Sequence, residues 1–209
     1  MPDSRGACIS EDRVIFDFLN GFSRDCRFCN LQDADLSQVS LVGVDLRETN
    51  LSGVDLSGRV LTSANLRQAN LSRADLQEAD LSGLTLWVTN MSDANLRGVN
   101  LQGADLHRAD LQRANLQDAD LQRANLYRAD LDGATLQDAD LRKANLSYAD
   151  MRDVDLRGAD LQGAALKGIG NNGEHDVSAP SVRIERADLT GAIWVDGRVC
   201  AEASIGECK

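Results

Sequence analysis

The chain has 209 residues, with few aromatic side chains, few prolines and no excess of basic charge. Aromatics make up 4%, there are only two prolines, and the formal net charge is −11. Because a nucleic-acid binder carries a basic surface, this charge argues against direct binding of DNA or RNA. No apolar run reaches the roughly 18 residues of a membrane-spanning helix, so no membrane partner is expected. Hydrophobic residues, at 43%, still suffice for a folded core.

Leucine, by contrast, is abundant and lies on a regular grid. From Leu31 to Leu166 every fifth residue is Leu, except Met91 and Met151, which makes 28 consecutive repeat centres. The residue two before the centre is small, Ala in 18 of the 28 repeats, and the residue directly before the centre is Asp or Asn in 23. The repeating unit is therefore A-(D/N)-L-x-x, as in residues 104–108.

A period of five fits neither a helix nor a flat strand. Five residues of α-helix advance about 500°, so the leucines would form no stripe. In a flat strand an odd spacing sends alternate leucines to opposite faces. The leucines share one side only if the chain turns once per repeat, with the centre and the small residue facing inward. The grid therefore predicts a solenoid, whose units contact their neighbours in turn.

The run from Ala34-Asp35-Leu36 to Ala164-Ala165-Leu166 resembles the pentapeptide repeat family and spans roughly two thirds of the chain. This resemblance implies an all-β fold, a right-handed quadrilateral parallel β-helix with four pentapeptides per coil. The 28 repeats then form about seven regular coils. Glycines that follow a centre by two residues, such as Gly53, Gly58 and Gly83, suit the turn at each corner.

The repeat pattern and its interruptions divide the chain into four parts. Residues 1–25 are expected to form an N-terminal cap, 26–167 the repeat domain, 168–183 an inserted loop, and 184–209 a last coil with a C-terminal cap. In the last part, a period of five resumes in an offset register at Ile184, Leu189 and Trp194.

A short helix over residues 11–20 is predicted in the N-terminal cap. Ser10 suits its N-cap and Gly21 its C-terminal end. Its apolar face, with Phe22 following on the same side, is expected to comprise Val14, Ile15, Phe18 and Leu19. An alternative is that Phe16 is already a repeat centre in an early, irregular coil.

All five cysteines lie in the caps, at Cys8, Cys26, Cys29, Cys200 and Cys208. One interpretation is disulfides that staple the ends, Cys200 with Cys208 and Cys8 with Cys26 or Cys29, in a periplasmic or extracellular protein. The alternative is reduced thiols in a cytoplasmic protein, since Met1-Pro2-Asp3 does not begin a signal peptide. A zinc site is least favoured, because the single CxxC has no second pair.

No catalytic residue, cofactor site or metal site is predicted. The two histidines, His107 and His175, form no arrangement with a nucleophile. The regular aspartates are read as a solvated polar face. The oxygen-rich segment Asn171–Asp176 lacks the spacing of a calcium-binding loop and is read as a polar surface turn.

Four repeats per coil sort the outward charges onto four faces, named here by their first centres. The net charges of the Leu31, Leu36, Leu41 and Leu46 faces are −4, −5, −1 and +2. The basic Leu46 face also carries the aromatic residues of the rod, and aromatics beside arginines are typical of interface anchors. The candidate partner face consists of Arg67, Trp87, Val88, His107, Arg108, Tyr127, Arg128 and Tyr148.

One repeat is irregular, because Arg59 stands at an inward position that elsewhere takes a small residue. A buried unpaired arginine is very costly. We therefore expect a local distortion, with Arg59 either turned out by a bulge or paired.

These observations favour a non-enzymatic module that binds a protein partner, or a second copy of itself, through the aromatic and basic face. The resemblance also includes quinolone-resistance proteins, which implies an alternative, a DNA mimic that binds a topoisomerase such as gyrase. Seven coils stacked about 4.8 Å apart make a rod about 34 Å long. The same length of duplex carries roughly 20 negative charges. The two acidic faces together carry −9, which weakens that alternative.

Overall fold

The computed structural model describes residues 11–168, 186–188, 190–193, 199–200 and 207. The chain begins with helix α1, Glu11–Leu19. A stack of coils follows, in which residues twenty apart pair through single parallel β-bridges, as Asp105 does with Asn125. Twenty residues are four pentapeptides, so each coil has four sides. The described residues contain no continuous strand, because each repeat contributes one bridge before the chain turns.

Each repeat turns the chain through a hydrogen-bonded turn of four residues. In one example the N–H of Ala104 donates to the carbonyl of Leu101 at 3.0 Å, and Gly103 between them has a φ of +66°. A positive φ at the third residue is the mark of a type II turn and favours glycine. The corner glycines expected from the sequence, including Gly53 and Gly83, have this conformation. The interval of twenty results from four such turns.

The interior of the rod is filled by the repeat centres. Every Leu or Met centre from Leu31 to Leu166 is at most 2% exposed. The Ala or Val two residues earlier is buried as well in nearly all repeats. Small residues leave room for the leucines of the adjoining sides, so the core packs without a central channel.

The Asp or Asn before each centre has a structural role that the sequence pattern did not reveal. Its Oδ1 atom accepts the backbone N–H of the residue after the centre, as Asp105 does from His107 at 3.2 Å. In several coils an asparagine amide also donates to the residue one coil earlier, as Asn125 Nδ2 does to Asp105 Oδ1 at 2.9 Å. These Asx turns satisfy a backbone donor that the β-bridges leave unpaired.

Helix α1 packs against the first coil through Phe18, which is fully buried. Phe16 is 54% exposed, so the alternative that it is a repeat centre is wrong. Phe22 is 77% exposed, and the expectation that it continues the buried side is also wrong. The reason is Gly21, whose φ of +73° ends the helix and redirects the chain. No helix in the described ranges is long and apolar enough to cross a bilayer.

The expected distortion at Arg59 is confirmed, and the side chain is paired. Its Nη1 atom donates to the carbonyls of Leu36 at 2.9 Å and Ser37 at 2.7 Å, and its Nη2 atom donates to that of Val39. The bridges that would join residues 35 with 55 and 40 with 60 are absent, although the rest of the first two coils is paired. The guanidinium therefore occupies a gap between two coils.

The pairing continues after the segment between residues 168 and 186. Asp188 bridges to Asp160 and Ile193 to Ala165, and Ala187 and Ala192 are fully buried. This is the offset register, with Ala two residues before a centre. The centres Ile184, Leu189 and Trp194 themselves lie outside the described residues, as do Asn171–Asp176 and His175.

The predicted pairing of Cys8 with Cys26 or Cys29 is wrong, because Cys26 is bonded to Cys29. Both face inward on one turn, Cys26 at a centre and Cys29 three residues later, and their Cα atoms are 5.3 Å apart. That separation is within disulfide range. Cys200 is also disulfide-bonded, while Cys8 and Cys208 lie outside the described residues.

Candidate protein-interaction face

The eight residues singled out on the Leu46 face, here called the aromatic face, lie along one side of the rod. Arg67, Trp87, His107 and Tyr127 each follow a repeat centre and stack at intervals of one coil. The other four occupy corners with positive φ, between 56° and 61°, and are Val88, Arg108, Arg128 and Tyr148. The twenty-residue interval therefore brings together the residues that the sequence predicted to be neighbours.

The rings on this face form a continuous stack. The centroids of Trp87 and His107 are 5.9 Å apart in an edge-on arrangement. His107 stacks on Tyr127 at 5.5 Å with an interplanar angle of 17°, and Tyr127 meets Tyr148 edge-on at 5.5 Å. Aromatic pairs at these separations stabilise one another beyond the area that they bury. The stack therefore presents its anchors in a defined arrangement.

Two arginines lie against the stack. The guanidinium carbon of Arg67 is 4.8 Å from the ring centroid of Trp87, and that of Arg128 is 5.3 Å from the centroid of Tyr127. Both distances are in the range of cation–π contacts. In the part of the chain that the structure describes, Arg67, Arg108 and Arg128 take part in no ion pair. Their charges are therefore available to an anionic group on a partner.

The last ring of the stack depends on a glycine one coil later. A Cβ atom at Gly168 would lie 2.7 Å from Cε1 of Tyr148, a separation that side chains do not adopt. Gly168 thus leaves the space in which the Tyr148 ring turns over Tyr127. The sequence showed Tyr148 on this face but gave no sign of the role of Gly168.

The aromatic face is partly exposed. Trp87 is 38% exposed, Tyr148 40% and Val88 52%, while His107 and Tyr127 are half-buried. Each ring contacts a neighbouring ring or a guanidinium, and parts of the rings remain exposed. Amphipathic edges beside unpaired cations suit a protein surface with apolar and acidic groups.

The acidic Leu31 and Leu36 faces are organised differently, because most of their arginines form ion pairs. Arg113 Nε lies 2.7 Å from Asp93 Oδ1, and Arg97 Nη2 lies 3.1 Å from Asp118 Oδ2. Other arginines lie two residues after the aspartate that they bind, as Arg157 does with Asp155. These faces therefore carry pairs of opposite charge rather than an unbroken row of carboxylates.

The ion pairs lower carboxyl pKa values. The hydrogen bonds from the Arg157 side chain hold the pKa of Asp155 far below its usual range, and a hydrogen bond from Gln137 acts in the same direction. Hydrogen bonds from Arg142 and Arg47 likewise lower the pKa values of Asp140 and Asp45. Because a hydrogen bond from an arginine is the largest cause for each of these three carboxyl groups, the lowered pKa values reflect ion pairing.

A second interruption of the coil pairing lies beside Arg67, at a residue that the sequence analysis did not single out. Leu84 stands at the small inward position and is buried. The bridge between Asn65 and Thr85 is missing, although Asn65 bridges to Asp45 and Thr85 to Asp105. An open cavity of about 470 Å³ lies between these two coils, lined by residues 62–65, Arg67 and residues 82–85. The signal in the sequence was Leu in place of Ala.

Among the described residues, no three His, Cys, Asp or Glu side chains are grouped so as to hold a metal ion. Cys26 and Cys29, the residues of the CxxC motif, are joined to each other. His107 lies in the aromatic stack between Trp87 and Tyr127.

Solved structures to which this chain is similar include several pentapeptide repeat proteins. QnrB1, a plasmid-mediated fluoroquinolone resistance protein, is 18% identical over 77% of this chain and 78% of its own, with a TM-score of 0.48. HetL, involved in heterocyst differentiation regulation in the cyanobacterium Nostoc sp. strain PCC 7120, is 29% identical over 75% of this chain and 92% of its own, with a TM-score of 0.23.

A thylakoid lumen protein of Arabidopsis thaliana is 25% identical over 70% of this chain and 68% of its own, with a TM-score of 0.32. A comparison with curated proteins found no match.

The family comparison covers most of the repeat grid. A profile of pentapeptide repeats matches in eight copies, over residues 25–58, 60–86, 89–126 and 124–163. These ranges make up more than half of the chain and coincide with the coils in which residues twenty apart are bridged. The chain therefore belongs to the pentapeptide repeat family.

Proposed function

We propose that this protein is a non-enzymatic interaction module that binds a protein partner, or a second copy of itself, through the aromatic face. The observation that carries the proposal is the continuous stack from Arg67 to Tyr148, with ring centroids 5.5 to 5.9 Å apart. Aromatic and arginine side chains are enriched among the residues that dominate binding energies. Here they are ordered in advance, which reduces the entropy lost on binding.

The partner surface that fits this face is apolar at its centre and acidic at its rim. Trp87 and Tyr148 offer the apolar contact area, and the three arginines without ion pairs offer charge-assisted hydrogen bonds to carboxylates. The acidic faces of the same rod, Leu31 and Leu36, have the complementary charge. A second copy of this chain is therefore one partner with suitable chemistry.

The test compares two double variants of the full chain. Trp87→Ala with Tyr127→Ala removes two rings of the stack, and Gln77→Ala with Gln117→Ala changes the equivalent positions of the Leu36 face. Light scattering measures self-association, and crosslinking in the source cells measures capture of other proteins. The first variant is expected to lose the dimer or the captured partner while the second retains it. If both variants behave as the unchanged protein does, the proposal is wrong.

The second candidate function is a gyrase-binding DNA mimic, favoured by the two acidic faces with net charges of −4 and −5. Against it stand the arginines paired on those faces, since duplex DNA presents one negative charge about every 1.7 Å. A gyrase supercoiling assay separates the two functions. Inhibition by the Trp87→Ala, Tyr127→Ala variant would favour the mimic, and no effect at micromolar protein would exclude it.

We also infer that the protein works in an oxidising compartment, as a periplasmic or extracellular protein does. The bond between Cys26 and Cys29 and the disulfide at Cys200 support this. Titration of free thiols in denatured, unreduced protein from the source cells tests it. At most one free thiol is expected, and five free thiols would instead favour the cytoplasmic alternative.

A further inference from the structure

The cavity beside Leu84, here called the Leu84 notch, exposes backbone groups that are paired in the neighbouring coils. Three backbone hydrogen bonds are missing between the coil of residues 62–67 and the coil of residues 82–85. They are the bonds from Ser63 N–H to the carbonyl of Ser82, from Leu66 N–H to the carbonyl of Thr85, and from Thr85 N–H to the carbonyl of Ala64. The lower wall, formed by residues 62–67, therefore offers two N–H donors and one carbonyl acceptor. The upper wall, formed by residues 82–85, offers one N–H donor and two carbonyl acceptors. Unpaired backbone groups of this kind need a partner in water or in a ligand.

The break is confined to one corner of one coil interval. On either side of it, Leu61 N–H donates to Asp80 at 2.9 Å and Gln68 N–H donates to Trp87 at 3.0 Å. The coils before and after are paired as well, for example Asp105 N–H with Leu84 at 2.8 Å. The notch is thus a local opening between coils that are paired on either side of it.

The size of Leu84 explains the opening. Val99 occupies the same inward position in another repeat, and there the N–H of Asn100 donates to the carbonyl of Ala79 at 2.9 Å, which is the bond that Thr85 and Ala64 lack. Leu is larger than Val and branches one carbon further out, so it holds the coils apart where Val and Ala do not. Ala64, on the coil below, is 5% exposed, whereas regular alanines such as Ala104 are fully buried.

The lining of the notch has no carboxylate. Its side chains are neutral except for Arg67, which lies at the edge shared with the aromatic face. In a chain of net charge −11, this is a surface that an acidic group can approach. The volume of about 470 Å³ is in the range of small-ligand sites.

We infer that the Leu84 notch binds a short extended peptide segment of a partner protein, with an acidic side chain directed at Arg67. An extended backbone offers donors and acceptors together, which matches the mixed set on the two walls, as in strand addition to a sheet edge. A simple anion would satisfy the N–H groups but leave the carbonyls of Ala64, Ser82 and Thr85 facing it. The segment spans about four residues, because the break runs from Ser63 to Leu66.

This inference is related to the proposed function only through Arg67, which the notch and the aromatic face share. Leu84→Ala closes the notch and leaves the aromatic stack in place. Trp87→Ala with Tyr127→Ala removes the stack and leaves Leu84 in place. Failure of one proposal is therefore distinguishable from failure of the other.

The first measurement is amide hydrogen exchange of the full chain. The amides of Ser63, Leu66 and Thr85 are expected to exchange quickly, and to become protected in Leu84→Ala, where the consensus Ala lets the coils pair. Val99→Ala is the matched control, since it makes a similar change where the ladder is intact. Protection of all three amides in the unchanged protein would show a closed ladder and overturn the inference.

The second measurement is a titration followed by amide chemical shifts. The probes are the capped tripeptides acetyl-Ala-Asp-Ala-methylamide and acetyl-Ala-Lys-Ala-methylamide, and inorganic phosphate. The aspartyl peptide is expected to shift the same three amides at about tenfold lower concentration than the lysyl peptide, because of the charge-assisted bond to Arg67. Leu84→Ala is expected to lose this binding and Val99→Ala to keep it.

Four outcomes of the titration contradict the inference. Phosphate that binds as well as the aspartyl peptide identifies an anion site instead. Equal binding of the two peptides removes the assigned role of Arg67. Binding that persists in Leu84→Ala, or no shift with either peptide, shows that the notch is not a peptide site.

Discussion

The guanidinium of Arg59 donates to the backbone carbonyl of Leu36 at 2.9 Å, across the gap between the first two coils. It also donates to Ser37 and Val39, so one side chain replaces several backbone bonds that the regular coils make to each other. The two interruptions of the ladder, at Arg59 and at Leu84, have the same origin. In both, a large residue stands where the repeat has a small one.

Arg59 provides a test of this account. Arg59→Met keeps the length of the side chain but removes its donors, so the carbonyls of Leu36, Ser37 and Val39 lose their partners. We expect the free energy of unfolding to fall by about 1–3 kcal/mol in urea denaturation. Arg59→Ala gives the consensus residue, the coils close, and stability is expected to equal or exceed that of the unchanged protein. A less stable Ala variant than Met variant would contradict this.

Val88 is a β-branched residue held at a φ of 56° in a corner of the aromatic face. Left-handed backbone is strained for such a residue and acceptable for Asn. We expect Val88→Asn to raise the free energy of unfolding by about 1 kcal/mol, since Val88 is half exposed and loses little contact.

Gly103 is the matched corner, with a φ of +66° and open space around the position of a Cβ atom. Gly103→Ala therefore adds backbone strain without a clash and is expected to lower stability by about 1 kcal/mol. Urea denaturation measures both variants. Changes of the same sign in the two would show that corner strain is not the cause.

The disulfide between Cys26 and Cys29 closes only a four-residue turn, so it constrains the unfolded chain little. The loop-entropy relation gives roughly 2 kcal/mol for so short a loop. Cys26→Leu with Cys29→Ala restores the centre and the small residue of the repeat. We expect this double variant to fold, with a free energy of unfolding that is lower by no more than about 2 kcal/mol, as measured by calorimetry. A much larger loss of stability would show that the disulfide does more to stabilise the first coil than the loop-entropy relation allows.

Asp155 accepts hydrogen bonds from Arg157 Nε at 2.9 Å and Nη2 at 2.7 Å, which lower its pKa below the ordinary value of 3.8. A carboxyl with a lowered folded-state pKa contributes stability above its unfolded pKa and loses it as the pH falls. We therefore expect the melting temperatures of the unchanged protein and Asp155→Asn to converge between roughly pH 5 and pH 2.

The control for this experiment is Asp120→Asn, because Asp120 forms the same Asx turn but is followed by Gln122 instead of arginine. Asn keeps the turn in both variants. The difference in melting temperature from the unchanged protein is expected to change less with pH for Asp120→Asn than for Asp155→Asn. Equal convergence in the two variants would mean that the arginine pair is not the source of the acid sensitivity.

Much of the aromatic face was predictable, because a solenoid turns sequence distance into spatial distance. Once four repeats make a coil, Trp87, His107 and Tyr127 must be neighbours. Their ring orientations were not predictable, since these depend on side-chain torsions and on the space that Gly168 leaves for Tyr148. The partner of Cys26 was also misjudged, because two cysteines on one turn are close whatever lies elsewhere in the caps.

By itself, the sequence determined the solenoid and its buried leucine centres, and the resemblance to the pentapeptide repeat family added the four repeats per coil that sort residues among its faces. The physical reason is that a strict period of five leaves the chain one way to bury every leucine. Only the tertiary structure decided what happens at the exceptions. Arg59 is tolerated because carbonyls of the preceding coil accept its donors, and Leu84 opens a notch because no group of the described chain fills the space that it creates.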